Sequence, residues 1–272
     1  GVGRSVHLAH HNDLPARSGM GSSSAFTVGL LHTLSALKGN IIPKVELARE
    51  AIHVEQNILE EHVGCQDQIL TAYGGLNHVS FAPNGEFTVR PVTVSRERMD
   101  ELSRHLMLFY TGVARTAEAI TATYVPDLYE SEEQLRPIGD MVQEGISILN
   151  SRRDIREFGR LLHDAWRAKR AINAVISNAH IDGIYDAAIT TGAVGGKLLG
   201  AGGGGFMLLF VPPERQQAVR ERLKKFIHVP FSFDFSGSQI IFADQEEDYS
   251  AYDTPERLSS LDVFREFGSS EV

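Results

Sequence analysis

A glycine- and serine-rich segment near the start of the chain has the composition of a phosphate-binding loop. Gly19 and Gly21 are followed by three serines at 22–24, and an apolar run begins at Phe26. Glycine lets a backbone adopt positive φ and approach a ligand closely. The first turn of a helix leaves N–H groups unpaired at the positive end of its dipole. The segment therefore predicts a phosphate site, the alternative being an ordinary helix capped by a serine.

The spacing of the glycines excludes two common phosphate loops. A Walker A loop ends in Gly-Lys-Ser/Thr, and no lysine follows Gly21 before Lys38. The dinucleotide-binding fingerprint needs a third glycine, and Ser24 stands at that position. The sequence therefore fits neither a P-loop nucleoside triphosphatase nor a dinucleotide-dependent oxidoreductase.

Two carboxylates follow at positions where chemistry is plausible. Glu55 lies on the apolar stripe of the second predicted helix, where a carboxylate is costly unless it meets a cation or a metal. A salt bridge to an arginine is the structural alternative. Asp67 lies at the start of a short predicted helix that ends before Gly74 and Gly75. Its position is as consistent with a simple helix N-cap as with a functional carboxylate.

A second glycine run lies far along the chain, at residues 202–205, and enters a buried strand predicted for 206–211. Four glycines are unfavourable in a sheet unless backbone packs closely on a ligand or on another loop. A flexible linker, the alternative, fits poorly with the apolar residues on both sides.

The apolar spacing along the chain predicts the helices and strands that position these residues. Apolar spacing predicts helices over 26–37 and from Pro43, and a hairpin joins 76–81 to 86–92 across Pro83-Asn84-Gly85. Further predicted segments, all by periodicity, are helices near 116–124, 131–150, 154–178, 182–191 and 213–226, and strands at 106–110, 231–235 and 238–243. The acidic tail ends in a short amphipathic pattern near 258–264.

Composition narrows the function classes. With 272 residues, 42 % of them hydrophobic, the chain can bury a large core and is expected to form two lobes. The net charge of −9 argues against nucleic-acid binding. The single cysteine, Cys65, excludes an internal disulfide and is typical of a reducing cytoplasm. No apolar run has transmembrane length, so no membrane partner is predicted.

Two features at the N-terminus complete the survey. Residues 4–9 have the pattern of a strand that begins almost at the first residue, and no initiator methionine precedes them. The chain is therefore expected to lack an N-terminal part. His7, His10 and His11 could suggest a metal site, but alternating strand faces and the lack of acidic partners favour a structural role.

The spaced motifs resemble those of the GHMP sugar and mevalonate kinases. Pro15-x-x-x-Gly19-x-Gly21-Ser-Ser-Ser-Ala is similar to the family's second motif, with Arg17 where glycine is usual. The segment around Asp67 resembles the catalytic aspartate segment, and Lys197-Leu-Leu-Gly-Ala-Gly-Gly-Gly-Gly resembles the third motif. Three matches in the right order cover the functional parts of nearly the whole chain.

This resemblance implies ATP and Mg²⁺ as cofactors and gives the residues their roles. Asp67 would accept the proton of the acceptor hydroxyl or orient it, and Ser23 with Glu55 would bind Mg²⁺. The ATP phosphates would lie on the loop made of Ser18, Gly19, Met20, Gly21, Ser22, Ser23 and Ser24. The substrate would contact Gly202, Gly203, Gly204 and Gly205.

The finer match, which includes Trp166 with Lys169, is to the D-glycero-D-manno-heptose 7-phosphate kinases. These phosphorylate an anomeric C1 hydroxyl and feed nucleotide-activated heptose for surface polysaccharides. A phosphorylated substrate needs cations, for which Arg115, Lys169 and Arg170 are candidates, although such charges are usually solvent-exposed. A fucokinase-like or galactokinase-like enzyme acting on a free sugar is the first alternative. A non-catalytic sugar and nucleotide sensor is the second.

The implied fold is α+β with two lobes and an active site in the cleft between them. Residues 1–103 would form an incomplete N-terminal ATP-binding lobe, and residues 104–272 a ferredoxin-like C-terminal lobe with an acidic tail. The expected partners are small molecules, a sugar phosphate and ATP.

Overall fold

Two separate sheets organise the protein, a hairpin within the first hundred residues and a four-stranded sheet after it. The computed structural model describes residues 6–14, 19–113 and 132–244. Ser18, Arg115, the predicted helix near 116–124 and the amphipathic pattern near 258–264 lie outside those residues.

The N-terminal part packs three helices beside the hairpin. Its elements are α1 (Ser22–Leu37), α2 (Lys44–His53), a π-helix (Val54–Ile58), α3 (Gln66–Tyr73), β1 (Asn77–Phe81) and β2 (Phe87–Pro91). α1 ends where Gly39 takes a φ of 74° and donates its N–H to Ala36 O, a turn that favours glycine. Fully buried apolar side chains from α1, α2 and α3 form this core, namely Val28, Leu47, Ala48, Ala51, Ile69 and Ala72.

The second sheet has the strand order β4-β5-β3-β6, with every neighbouring pair antiparallel. Its elements are α4 (Arg96–His105), β3 (Leu106–Tyr110), α5 (Glu132–Leu149), α6 (Arg156–Ile172), α7 (Ala179–Thr191), β4 (Gly195–Leu198), β5 (Phe206–Phe210), α8 (Gln216–Arg222) and β6 (Ile227–Val229). Short 3₁₀ turns lie at Ala174–Ile176 and Pro213–Arg215. From β3 onward, strands and helices follow the ferredoxin-like order that the family resemblance implies.

Close backbone contact joins α6 to the edge of this sheet. A Cβ on Gly195 would collide with the carbonyl of Gly159 and lie 2.8 Å from the backbone N of His163. Trp166 of α6 is fully buried beside Tyr185 of α7, with their ring centroids 6.3 Å apart. The helix is therefore fixed in register against β4, which matters for the cations at its C-terminal end.

Several sequence predictions differ from the structure. The strands predicted at 231–235 and 238–243 are wrong, because the last strand of the sheet is β6 at Ile227–Val229 and pairs with β3. The helix predicted over 154–178 ends at Ile172. Residues 6–9 show no strand. Residue 103 lies inside α4, which leads directly into β3, and the domain boundary there stays a prediction.

After β6 the chain returns to the N-terminal helices as a strap, residues 234–238. Gly75 donates its N–H to Asp234 O at 2.7 Å, and Ser238 donates to Thr71 O at 2.9 Å. A Cβ on Gly74 would collide with the backbone of Gly237. The strap therefore closes on the C-terminal end of α3.

Contacts group Gly1–Gln239 into one compact unit and Ile240–Val272 into another. Within the described ranges, no helix has both the length and the apolar character needed to span a bilayer.

Candidate active site

The first glycine loop leads into α1 without a side-chain cap. Gly21 is the N-cap residue, with a φ of 68° in the left-handed region. Ser22, Ser23 and Ser24 form the first turn instead of capping it, and α1 has no acidic residue there. The alternative of an ordinary serine-capped helix is thus not what the structure shows. An uncapped first turn presents N–H groups and a positive dipole end that suit an anion.

Asp67 lies directly against this loop. A Cβ placed on Gly21 would lie 3.0 Å from Cγ of Asp67 and 3.1 Å from its Oδ2. Only glycine leaves room for the carboxyl group at this point. Asp67 is the second residue of α3, after the N-cap Cys65, so the reading of Asp67 as a helix cap does not hold.

The surroundings of Asp67 favour proton transfer. Burial raises the pKa of Asp67, and the nearby charge of Glu55 raises it further. A 3.3 Å hydrogen bond from Gln66 Nε2 to Asp67 Oδ1 partly offsets both effects. A carboxylate whose pKa moves toward neutrality is a better general base than an exposed one.

Glu55 is a buried carboxylate that is only partly satisfied. Its side chain is 1 % exposed and lies in the π-helix that continues α2, a local form that often marks functional positions. Its Oε2 accepts hydrogen bonds from Ser24 Oγ at 2.9 Å and from Gln68 Nε2 at 2.5 Å. Its Oε1 is buried and has no hydrogen-bond partner among the residues that the structure describes. No described arginine or lysine pairs with it, which removes the salt-bridge alternative within the described residues.

The residues present fit a magnesium ion. An unpaired, buried carboxylate oxygen close to an anion cradle is a hard ligand of the kind that Mg²⁺ prefers, together with phosphate and water. Ser24 contacts Glu55, whereas Ser23 is solvent-exposed in the same turn. Ser23 as a magnesium ligand remains a prediction. No group of three or more His, Cys, Asp or Glu side chains suited to a metal occurs in the described part of the chain.

The second glycine loop, residues 200–205, contacts the first, residues 19–21. A Cβ on Gly200 would lie 3.0 Å from Gly19 O, and one on Gly19 would lie 3.7 Å from Leu199 O and 3.9 Å from Gly204 O. The two segments are about 180 residues apart in sequence, and both need positive φ, 76° at Gly19 and 69° at Gly200. The structure therefore brings both predicted glycine loops and Asp67 into one site.

Residues outside the motif hold the second loop in shape. Thr111 donates both its N–H, at 2.9 Å, and its Oγ1, at 2.8 Å, to Gly205 O. Gly203 donates its N–H to Ile176 O at 2.9 Å, and Asn178 Nδ2 donates to Gly203 O at 3.3 Å. Sequence reasoning gave no role to Thr111 or Asn178. The signals available for Thr111 were its position directly after an apolar predicted strand and its place in the family resemblance.

The candidate cations have different surroundings. Lys169 Nζ donates to Gly200 O at 2.6 Å, which places it at the second loop. Arg170 forms an ion pair with Asp182 at 2.7 Å, and its guanidinium lies 5.6 Å from the ring centroid of Trp166. Arg170 thus has a structural partner, and substrate binding by Arg170 and Arg115 stays a prediction.

Two other features lie apart from this constellation. His7, His10 and His11 are exposed, and His10 makes an edge contact with Phe26. A cavity of about 860 Å³ opens between α7 and α8, and it is lined by none of the predicted site residues that the structure describes. The candidate site is instead defined by converging backbone loops and carboxylates.

Comparison with known proteins agrees with the motifs. Models of the GHMP kinases N terminal domain and the GHMP kinases C terminal domain match residues 1–75 and 147–229, together more than half of the chain. The chain is 30 % identical over 223 residues to the D-glycero-alpha-D-manno-heptose 7-phosphate kinase of Campylobacter jejuni, covering 81 % of this chain and 66 % of that protein. It is 27 % identical over 253 residues to the galactokinase of Pyrococcus furiosus, covering 79 % and 68 %.

Solved structures share the fold. A crystal structure of a D-glycero-D-manno-heptose 1-phosphate kinase from Bacteroides thetaiotaomicron matches with a TM-score of 0.65 and 26 % identity. That match covers 86 % of this chain and 67 % of the other. The chain thus spans about two thirds of the length of such relatives, 66 % of the Campylobacter jejuni enzyme.

Proposed function

Because this chain belongs to the GHMP kinase family, we propose that it is an ATP-dependent sugar kinase. It transfers the γ-phosphoryl group to the anomeric C1 hydroxyl of a sugar phosphate, D-glycero-D-manno-heptose 7-phosphate. The similarity to a heptose 7-phosphate kinase supports this substrate. The product then enters the synthesis of nucleotide-activated heptose for surface polysaccharides.

The observation that carries the proposal is the contact between Asp67 and Gly21. It puts an acid with a raised pKa beside a helix N-terminus that can hold phosphate groups. Phosphoryl transfer depends mainly on positioning and on stabilising charge, so a base next to a phosphate cradle is the essential arrangement.

The described residues divide the work in the following way. The first-turn amides of α1 bind the phosphates of ATP, while Asp67 accepts the proton of the acceptor hydroxyl or orients it. An anomeric hydroxyl is more acidic than an ordinary alcohol, so the demand on Asp67 is modest. Glu55 and Ser23 would hold Mg²⁺, and Ser24 and Gln68 fix the Glu55 carboxylate. Bound Mg²⁺ neutralises negative charge on the phosphates.

The test is a coupled ADP-release assay over a sugar panel. We expect turnover with D-glycero-D-manno-heptose 7-phosphate to exceed that with free heptose, fucose or galactose. Preference for a free sugar would favour the fucokinase-like or galactokinase-like alternative, with which the similarity to a galactokinase is compatible. Binding of sugar and nucleotide without ADP release would favour the sensor.

Asp67→Asn is the decisive variant in the same assay. It preserves the size of the side chain but removes its basicity, and we expect kcat to fall by about 10²- to 10⁴-fold, the usual contribution of a general base. Binding of ATP should change little. Turnover that survives this substitution intact would overturn the assignment of Asp67.

A further inference from the structure

Two lysines flank Gly200 without a described carboxylate to neutralise them. Lys169 Nζ, at the C-terminal end of α6, donates to Gly200 O at 2.6 Å. Lys197 stands in β4, three residues before Gly200. Within the described residues the ammonium group of Lys197 has no hydrogen bond or ion pair, and Lys169 has no ion pair.

The register of β4 against α6 brings both side chains to the same place. Gly195 faces α6, since a Cβ there would lie 2.8 Å from the backbone N of His163. Side chains alternate along a strand, so Lys197 faces the same helix. Lys169 follows His163 by six residues along α6, in the direction of Gly200. The two lysines therefore lie between β4 and α6, at the end that adjoins the second glycine loop.

Burial and mutual repulsion make both lysines favourable partners for an anion. Burial lowers the pKa of Lys169 to about 8, and the positive charge of Lys197 contributes to that shift. Burial also lowers the pKa of Lys197. Partly buried cations are costly when they are not paired, and a pair of like charges adds repulsion. An anion that binds between them removes both penalties.

We propose that Lys169 and Lys197 together bind the phosphate monoester that the acceptor already carries. The proposal rests on the proposed function for the identity of the acceptor, whereas the anion site itself rests on the two lysines. The proposed site does not require Arg170, the neighbour of Lys169, whose guanidinium pairs with Asp182. Lysine suits this role because its three donors can serve Gly200 O and a phosphate oxygen at the same time.

Lysine NMR tests the anion site without any turnover. The protein is labelled with ¹³C-lysine, Lys169→Arg and Lys197→Arg assign the two signals, and both are titrated with and without saturating inorganic phosphate. We expect phosphate to raise the titration midpoint of Lys169 by about one pH unit, as a nearby opposite charge does. Lys197→Met should abolish most of that rise. Lys225→Met, at an exposed lysine beyond α8, should leave it unchanged.

An unchanged Lys169 midpoint in phosphate would overturn the anion site, whether or not the protein proves to be a kinase. Conversely, a midpoint that rises in a protein that phosphorylates no sugar would refute the proposed function and leave the anion site standing. The two failures are therefore distinguishable.

Kinetics decide which phosphate the lysines hold. We expect Lys197→Met to raise KM for D-glycero-D-manno-heptose 7-phosphate by about 10- to 100-fold, the loss expected for a charge-assisted hydrogen bond. KM for ATP and for unphosphorylated heptose should not move, and Lys197→Arg should restore part of the loss. A rise in KM for ATP alone would assign the lysines to the nucleotide and overturn the proposal.

Discussion

The two glycine loops meet in one site, but they are built differently. The first loop, residues 19–21, ends in an uncapped helix whose first-turn amides are available to a ligand. The second, residues 200–205, is tied to its surroundings by Thr111, Ile176, Asn178 and Lys169. The first loop is open to a negatively charged ligand, whereas the second is held in place by hydrogen bonds and packs against the first. The difference shows that a high glycine content serves two purposes here, ligand access in one loop and close backbone packing in the other.

The strongest test of this comparison is Gly21→Ala. The new Cβ would press on the Asp67 carboxyl group, 3.0 Å from its Cγ, and would strain a φ of 68°. Because a small misplacement of reacting groups has a large kinetic effect, we expect kcat to fall by roughly 10²-fold. The matched control is Gly39→Ala, where φ is 74° and no atom of the described residues lies within 4 Å of the new Cβ.

Both alanines should cost about 1 kcal/mol in the free energy of unfolding, measured by urea denaturation, because both occupy the left-handed region. Although both variants lose similar stability, only Gly21→Ala should also lose kcat. Equal kinetic effects at the two positions would mean that the contact between Gly21 and Asp67 is not functional.

Glu55→Gln examines the carboxylate that lies behind the first loop. The amide keeps the shape of the side chain but removes the charge, so we expect the Mg²⁺ concentration for half-maximal activity to rise by about tenfold or more, as for a lost metal ligand or its support. Glu46→Gln, in the first turn of α2, is a control at a carboxylate outside the site. An unchanged Mg²⁺ requirement would remove Glu55 from the metal site.

The pH profile sharpens the same picture. Asp67 acts as a base only when deprotonated, and its pKa is raised, so kcat/KM should fall as pH drops through that raised pKa, about tenfold per pH unit. Removing the Glu55 charge should move this acid limb to lower pH. Gln66→Met should move it to higher pH, since the hydrogen bond from Gln66 lowers the pKa of Asp67. A shift to higher pH on removal of the Glu55 charge, or to lower pH in Gln66→Met, would exclude Asp67 as the titrating group.

The smallest expected effect concerns the second loop. Thr111→Val removes a buried hydroxyl that donates to Gly205 O, while the backbone N–H of residue 111 still donates there. We expect a loss of about 1 kcal/mol in the free energy of unfolding, typical of one hydrogen bond. Thr190→Val, at an exposed helix position, should be near neutral. A purely kinetic effect without destabilisation would contradict a structural role for the hydrogen bonds of this loop.

Much of the fold was predictable because its signals are local. Apolar periodicity placed α1, β1 and β2, and the motifs indicated both glycine loops and Asp67. The ferredoxin-like sheet came from the family resemblance, and the structure confirms it. The last strand was misplaced: apolar residues at 231–235 alternate as a strand would, yet the strand that pairs with β3 on the side away from β5 is Ile227–Val229.

The details of the site depend on contacts that sequence spacing does not specify. Which of three consecutive serines faces Glu55 depends on where α1 begins, since each residue turns the helix by about 100°. The helix begins after Gly21, and Ser24 is the one that faces inward. Thr111 lies 94 residues before Gly205 and reaches it through the pairing of β3 with β5.

The strap has a consequence for how the protein is made. Residues 234–238 leave the ribosome long after α3, yet they complete the surroundings of its C-terminal end. The contacts at the C-terminal end of α3 are therefore completed only after residues 234–238 have been synthesised, and such distant pairing slows folding. The close approach of the Gly74 and Gly237 backbones joins an early and a late segment within the single compact unit Gly1–Gln239.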